Sequence, residues 1–469
     1  MNYDVVIVGG GIGGLMTAYR LVKKDPSLSV CVIDRGRALS KRFCPVATHK
    51  TAACIKCKQC AIMEGIGGAG AFSDGKFNIT TEYGGWLQEY LGEQVTLDYI
   101  NQVSDILDEF GATKKAYAPS DEIKLECLKY DLHLLQATVK HLGTDGNLKV
   151  MSNLMSFLEQ HVTVLTETAV VDVKMDQSTV ITDNGDVIGY KNLVLAIGRS
   201  GSEWFGKWCR NNGIEVINNQ VDLGVRVELP RIVWEGISEK IYEPKIFYRT
   251  KNHGDSTRTF CFNSGGEVVI ENNDGLLTVN GHANSDPRLK TKNSNFSILS
   301  TTRFTQPFNE PIAYAKHICK LANMIAGGGV IVQRFGDLVT GKRTNEHRLS
   351  QSRVRPTLNA VAGDLSLCIP KRQLDNIIET IYALDKIAPG TANYDTLLYG
   401  VEAKFYSIKP KFTDNDFRIA ENIYTIGDGA GITRGLAQAG ANGLFVADHM
   451  LNRKYITLNK LGPRRRTFF

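Results

Sequence analysis

Near the N-terminus, the β-branched run Val5-Val6-Ile7-Val8 leads directly into Gly9-Gly10-Gly11-Ile12-Gly13-Gly14. An amphipathic stretch from Ile12 to Lys24 follows, with Leu15, Ala18, Leu21 and Val22 on one face. Asp25-Pro26 predicts its end, because proline disfavours helix at the residue before it. A second strand, Ser29 to Ile33, then closes on Asp34. This order of strand, G-x-G-x-x-G, helix, strand and acid predicts a dinucleotide-binding βαβ unit. In it Gly9 makes the turn, Gly11 lets the backbone approach a pyrophosphate, and Gly14 lets the helix pack closely on the sheet. The diphosphate is expected at the helix N-terminus, where unpaired N–H groups favour negative charge. Asp34 is expected to accept hydrogen bonds from the adenosine ribose.

The far end of the chain specifies which dinucleotide. Ile423-Tyr424-Thr425-Ile426 is a strand run, followed by Gly427-Asp428-Gly429-Ala430-Gly431 and a long helical pattern from Leu436 to Leu451. This resembles the Gly-Asp motif of glutathione-reductase-like flavoproteins, and Ala196-Ile197-Gly198-Arg199-Ser200-Gly201 resembles their alanine-threonine-glycine motif, with Ile197 in the threonine place. The resemblance implies FAD, with Asp428 on the ribityl hydroxyls and the following helix aimed at the flavin pyrimidine. Such a helix end stabilises negative charge on reduced flavin. The expected cofactor contacts are Gly9, Gly11, Gly14, Asp34, Arg35, Gly198, Gly427, Asp428 and Thr433. Gly65-Ile66-Gly67-Gly68-Ala69-Gly70 matches the glycine pattern too, but no strand precedes it, so no separate NADPH domain is expected.

The chain has 469 residues, 43% of them hydrophobic and 22% charged, which suits several lobes of an ordinary globular protein. No apolar run reaches the roughly 18 residues of a membrane span. Met1-Asn2-Tyr3-Asp4 enters a strand without a signal-peptide pattern, so the cytoplasm is the expected compartment. The expected fold is α/β, a Rossmann-type FAD-binding domain carrying an inserted mixed β-sheet substrate domain. The FAD-binding parts fall at 1–85, 161–214 and 411–452. A helical insertion is expected at 86–160, including helices at Leu97–Phe110 and Leu132–Leu142, and a substrate or cap domain at 215–410. A meander is read at 162–197 and a basic tail at 453–469. The net charge of +6 permits an anionic partner without demanding one. Lys342, Arg343, Arg348, Arg353 and Arg355 are bunched, as are Arg464-Arg465-Arg466; a solvated surface and a frayed tail account for both.

Of ten cysteines, Cys31, Cys127, Cys209, Cys261, Cys319 and Cys368 are scattered, whereas Cys44, Cys54, Cys57 and Cys60 cluster. The loop reads Cys44-Pro45, Cys54-x-x-Cys57-x-x-Cys60, then Gly67-Gly68-Ala69-Gly70-Ala71-Phe72-Ser73-Asp74-Gly75-Lys76. Further motifs are His141-Leu142-Gly143-Thr144-Asp145, Asp222 to Glu228, Val279 to His282, Val332 to Asp337, Leu398 to Tyr406 and Gly427 to Gly435. Together they resemble a bacterial family of uncharacterised FAD-dependent dehydrogenases along nearly the whole chain. Three arrangements suit the four cysteines: an iron–sulfur cluster, a zinc site, or a dithiol exchanging electrons with the flavin. Loop thiols without a shared role are the fourth. The loop itself is expected beside the isoalloxazine ring.

Arg434 follows the Gly-Asp motif and is expected near the flavin edge, binding a substrate carboxylate or stabilising anionic reduced flavin. Glu402, Lys404 and Tyr406 alternate and share one strand face, suiting proton transfer or substrate binding; a solvated sheet face is the competing account. His141 and His282 are weaker candidates. The expected catalytic group is therefore Arg434, Glu402 and Lys404. The first functional reading is an FAD-dependent oxidoreductase moving a hydride between an organic substrate and the flavin. The second is oxidation or lysis of a C–N bond on a macromolecule-borne substrate, such as an amino-acid-modified base in DNA, with the basic residues on phosphates. The third is a non-catalytic flavin-binding sensor.

Overall fold

The computed structural model describes all residues except 46–49, 51–54, 56, 58, 274, 283–287, 289 and 461–469. The chain divides into two compact units, Met1–Ala116 with Thr138–Ile217 and Ser407–Phe469, and Tyr117–Ala137 with Asn218–Tyr406.

The first unit is built on β1 (Asn2–Val8), α1 (Ile12–Lys24) and β2 (Val30–Ile33). Its sheet runs in the order Arg418–Ala420, Ile423–Thr425, Val187–Leu195, β1, β2, Thr163–Leu165. The neighbours of β1 and β2 are parallel, so both faces need cover and the strands carry almost unbroken apolar residues. The helix Leu436–Lys460 packs on α1 at very close range: a Cβ on Gly443 would collide with the backbone oxygen of Gly13. Small residues in Ala437, Ala439, Ala441 and Gly443 permit that approach and bring the two ends of the chain together. Thr17 fixes the crossing by donating its hydroxyl to the Gly13 carbonyl at 2.8 Å and the Gly443 carbonyl at 3.2 Å.

The second unit is a mixed sheet in the order Val361–Ala362, Ile331–Arg334, Leu397–Lys404, Val221–Pro230, Asn293–Thr302, Ser256–Ser264, Lys245–Arg249, Leu132–Leu135. Leu223, Val225, Val227 and Leu229 alternate onto one face and join an apolar core with Ala315, Ile318, Cys319, Leu374, Ile377 and Ile381 from two helices. The other face carries charged residues and is described below.

The helix expected at Leu132–Leu142 is instead two strands, Leu132–Leu135 and Thr138–His141. Leu132 and Leu134 are buried while His133 between them is exposed, a period of two that the flanking leucines disguise as helical spacing. The two strands belong to different units, pairing with Lys245–Arg249 and Lys76–Ile79 respectively. Residues 86–160 are therefore split, with 117–137 in the second unit. The hairpins at Val170–Lys174, Thr179–Thr182 and Val187–Leu195 form as expected, but Thr163–Leu165 pairs with β2 and stands outside the meander. Among the described residues no helix is long and apolar enough to cross a membrane.

Candidate functional site

Three glycine-bearing turns converge in the first unit. Gly9 takes φ +111° after β1, and a Cβ there would collide with the carbonyl of Ala196. A Cβ on Gly14 would collide with the Gly9 carbonyl, and one on Gly429 with the Ile197 carbonyl. Gly429 donates its N–H to that same Ile197 oxygen at 3.0 Å. Gly9, Gly14 and Gly429 are thus consumed by backbone packing. Gly11, Gly198 and Gly427 are different. The nearest heavy atom to a Cβ on Gly11 lies at 4.0 Å, and Gly198 and Gly427 have nothing within 4 Å. Backbone left bare at these points, with α1 opening beside Gly11, fits a diphosphate that must come within hydrogen-bonding distance of the main chain.

Asp34 stands at the end of β2 with its Oδ2 accepting the Gly10 N–H at 2.8 Å and its Oδ1 accepting the Gly36 N–H at 2.8 Å. The carboxylate therefore ties the first turn to the second strand and remains partly exposed. Arg35 pairs with Glu64, and the Arg35 carbonyl accepts from Gln59 at 2.8 Å. Ile66 donates to the Arg37 carbonyl and Gly67 to the Gly10 carbonyl. The segment just after Cys60 consequently lies against residues 35–37. Its glycine-rich continuation reaches the other end, where Gly70 abuts Leu436. The stretch after Cys60 and the glycine end of the loop thus pack against different elements of the first unit. Cys44 is partly buried, Cys57 and Cys60 are exposed, and Cys54 lies outside the described residues. Among the described residues no three His, Cys, Asp or Glu side chains form a group able to hold a metal.

Sequence reasoning missed Arg42, the residue that holds this loop. It is buried, with Nε donating to the Ala61 carbonyl at 2.9 Å and Nη2 to the Ile62 carbonyl at 2.9 Å. Its Nη1 donates to the carbonyls of Ile66 at 2.6 Å and Gly68 at 2.9 Å, and the guanidinium lies over the Phe72 ring. Burial pulls its pKa down to about 10 against the opposing pull of Asp34, Cys60 and Glu64. No motif distinguishes such an arginine, because its partners are carbonyls that every residue has.

At the far end, Gly427 donates to the Asn442 Oδ1 at 3.0 Å, which fixes the strand-to-helix turn. Thr433 donates its hydroxyl to the Asp428 Oδ1 at 2.8 Å, and the Arg199 Nε lies 3.9 Å from the Asp428 Oδ2. Burial pushes the Asp428 carboxyl up from its ordinary value, while Arg199, Thr433 and Arg434 pull it back. Arg434 is partly buried, and its N–H and that of Gly435 both reach the Gly84 carbonyl, at 2.9 and 3.0 Å. Gly85 bridges to Thr433 with φ +145°, a conformation and a closeness only glycine tolerates. Asp428, Thr433, Arg434 and Arg199 are thereby gathered into one cluster. Gly84, Gly85 and Gln438, which donates to the Tyr83 carbonyl at 3.1 Å, build its wall without any sequence signal.

In the second unit, Glu402 and Lys404 do share one face, with Lys404 Nζ 3.2 Å from Glu402 Oε1. The face is not solvated, because Glu402 is fully buried. Arg226, equally buried, approaches the Glu402 Oε2 at 3.5 Å through Nη1 and donates to Asn295 Oδ1 at 2.9 Å through Nε. Ser297 donates to the Glu402 Oε1 at 2.7 Å. Asp222 and Glu228 flank Arg226 on the same strand face; Arg258 and Tyr406 pair with Asp222, and Tyr399 and Thr357 donate to Glu228. Lys404 keeps slight exposure beside the Phe260 ring and also lies 3.8 Å from the Glu271 Oε2. His141 lies 3.7 Å from Asp74 in the first unit, and His282, exposed, ends a hairpin strand of the second whose Thr278 and Val279 are buried.

The comparisons agree with this geometry. Residues 4–47 match the FAD dependent oxidoreductase family, and residues 221–405 match the family described as FAD-dependent protein, C-terminal domain-like. FAD is therefore the dinucleotide. A Clostridium beijerinckii protein described as uncharacterized is 26% identical over 474 residues, covering 96% of this chain and 80% of its own. The mitochondrial L-2-hydroxyglutarate dehydrogenase of Nematostella vectensis is 51% identical over 39 residues, 8% of this chain and 9% of that protein. Among solved structures, glycine oxidase from Geobacillus kaustophilus aligns over 96% of this chain and 95% of its own, at 13% identity and a TM-score of 0.40.

Proposed function

We propose that this FAD-dependent oxidoreductase oxidises a small organic substrate by hydride transfer, and that the turn from Gly427 to Gly435 is where its residues act on the flavin. The observation that carries this reading is the cluster of Asp428, Thr433, Arg199 and Arg434, which couples a hydroxyl-binding carboxylate to two cations. Bound FAD supplies a two-electron acceptor. Asp428, steadied by the Thr433 hydroxyl, binds a hydroxyl-bearing chain. Arg434 places positive charge where negative charge develops on reduction, an interaction strengthened by partial exclusion of water. Glu402 is a positioning residue for Lys404, which Glu271 also pairs within the second unit. The cysteine-loop subgroup of FAD-dependent dehydrogenases is the narrower family we assign, on the motifs from Cys44 to Lys76.

The test is anaerobic mixing of the purified holoprotein with a panel of amino acids, 2-hydroxy acids and other small metabolites. Bleaching of the flavin by one compound class, with release of its two-electron-oxidised product, supports the reading. Flavin that dithionite reduces but no member of a broad panel bleaches would point to the sensor role.

A further inference from the structure

We infer that residues 342–355 of the second unit form a docking surface for the phosphate backbone of a nucleic acid. This concerns a partner, and it stands whether the flavin's substrate is free or carried on that partner.

Over the whole chain 55 basic residues face 49 acidic ones, yet this segment holds five cations, Lys342, Arg343, Arg348, Arg353 and Arg355, against Glu346 alone. Among the described residues none of the five side-chain cations has a carboxylate within ion-pairing distance, the Asp395 carboxylate reaching only the Arg353 backbone N–H at 3.3 Å, whereas Arg334, close by in sequence, is paired with both Asp337 and Asp395. Lys342, Arg343, Arg353 and Arg355 are exposed and Arg348 is partly so. Packing like charges this closely costs the isolated protein free energy, and an anionic partner removes that cost.

The arc is also held in place. Arg348 donates to the Arg343 carbonyl at 2.5 Å, and Arg355 donates to the Ser350 carbonyl at 2.7 Å. Both guanidiniums are thus fixed about the short helix Glu346–Ser350, which Asn345 caps by accepting the Arg348 N–H at 2.9 Å. The buried side chains Thr344, Leu349, Ser352 and Val354 anchor the segment from beneath. A preorganised arginine loses less freedom on meeting a ligand, and its planar fork retains donors for phosphate oxygens.

The rest of the exposed surface distinguishes a nucleic acid from an acidic protein. Between the cations, the exposed residues are Asn345, Glu346, His347, Ser350 and Gln351, with no exposed aromatic or aliphatic side chain. A protein partner needs a desolvated apolar centre to its interface. A phosphate backbone needs only cations and hydrogen-bond donors.

The experiment is fluorescence anisotropy of a labelled mixed-sequence DNA duplex titrated with the full-length holoprotein over a salt series. Four or five phosphate contacts predict a log–log salt slope of about −4. The R343E/R353E variant leaves Arg348 and Arg355 untouched and removes from Arg343 only a long 3.5 Å contact to the Ala362 carbonyl. It should lower affinity at low salt by at least about tenfold and flatten the slope by roughly 2, with FAD content and melting temperature unchanged. The milder R343Q/R353Q variant should fall between, which guards against a fold defect in the reversal variant. The proposal is overturned by no binding at low salt. Binding that R343E/R353E leaves intact, as the C-terminal arginines would produce, also overturns it. So does displacement of the duplex by polyglutamate at equal charge concentration, which would mark an acidic protein site.

Discussion

Arg226 and Glu402 meet inside the second unit with Nη1 3.5 Å from Oε2, and neither side chain is exposed to solvent. The arginine spreads its remaining donors over Asn295, Ser297 and the Cys261 carbonyl, and the glutamate takes Ser297 and Lys404 as well. Removing one partner strands a buried charge, at a cost of about 3–5 kcal/mol. R226M should therefore lower stability in urea by that order. E402Q should cost less, because Arg226 keeps its other acceptors. The double variant R226M/E402Q should cost clearly less than the two singles added together. Strict additivity in the double-mutant cycle would show that the two groups do not sense each other.

Arg42 offers a test of the loop that crosses the dinucleotide turn. R42M leaves the carbonyls of Ala61, Ile62, Ile66 and Gly68 without this donor, and for the buried Ile66 oxygen that costs about 1–3 kcal/mol. Faster proteolytic cleavage within residues 57–70 and weaker FAD retention are expected, with R42K intermediate because it keeps the charge but not the fork. Equal cleavage rates in wild type and R42M would remove Arg42 from this role.

Much of this was legible in the sequence and some was not. The fingerprint at Gly9 to Gly14, Asp34 and the Gly427-Asp428 turn depend on backbone geometry that only glycine and a short acid satisfy, so they announce themselves locally. The alternation of Glu402 and Lys404 gave the correct face, but not its burial, which depends on Arg226 from a neighbouring strand. Arg42, Asn442 and Gln438 were invisible because their partners are main-chain groups distant in sequence. Leu132 to His141 misled because a strand, a turn and another strand happened to space their apolar residues as a helix does.

Asp428 predicts a pH dependence with a definite sign. Burial raises its carboxyl above the ordinary 3.8, so ionisation penalises the folded apoprotein. That penalty is absent below 3.8, grows as pH rises through the window up to the raised folded value, and is constant above it. D428N removes the ionisation. Its apoprotein should match wild type in acid and melt at a higher temperature near neutrality, while FAD affinity falls. A melting difference that does not change with pH would contradict the assignment.

Arg434 can be tested through the flavin itself. R434M retains similar bulk without the charge, so FAD content should stay close to normal while the flavin midpoint potential falls and reduction slows. An unchanged potential and rate would make Arg434 a surface residue.

If FAD lies over the bare backbone at Gly11, the flavin content of purified G11V must fall. A Cβ at this position meets no atom beyond its chain neighbours closer than 4.0 Å, and φ −75° suits any L residue, so the protein leaves room for a side chain where the ligand is expected. The expected result is a folded variant, with a far-ultraviolet spectrum like that of wild type, that has lost most of its flavin absorbance. A folded G11V carrying a full complement of FAD would contradict it.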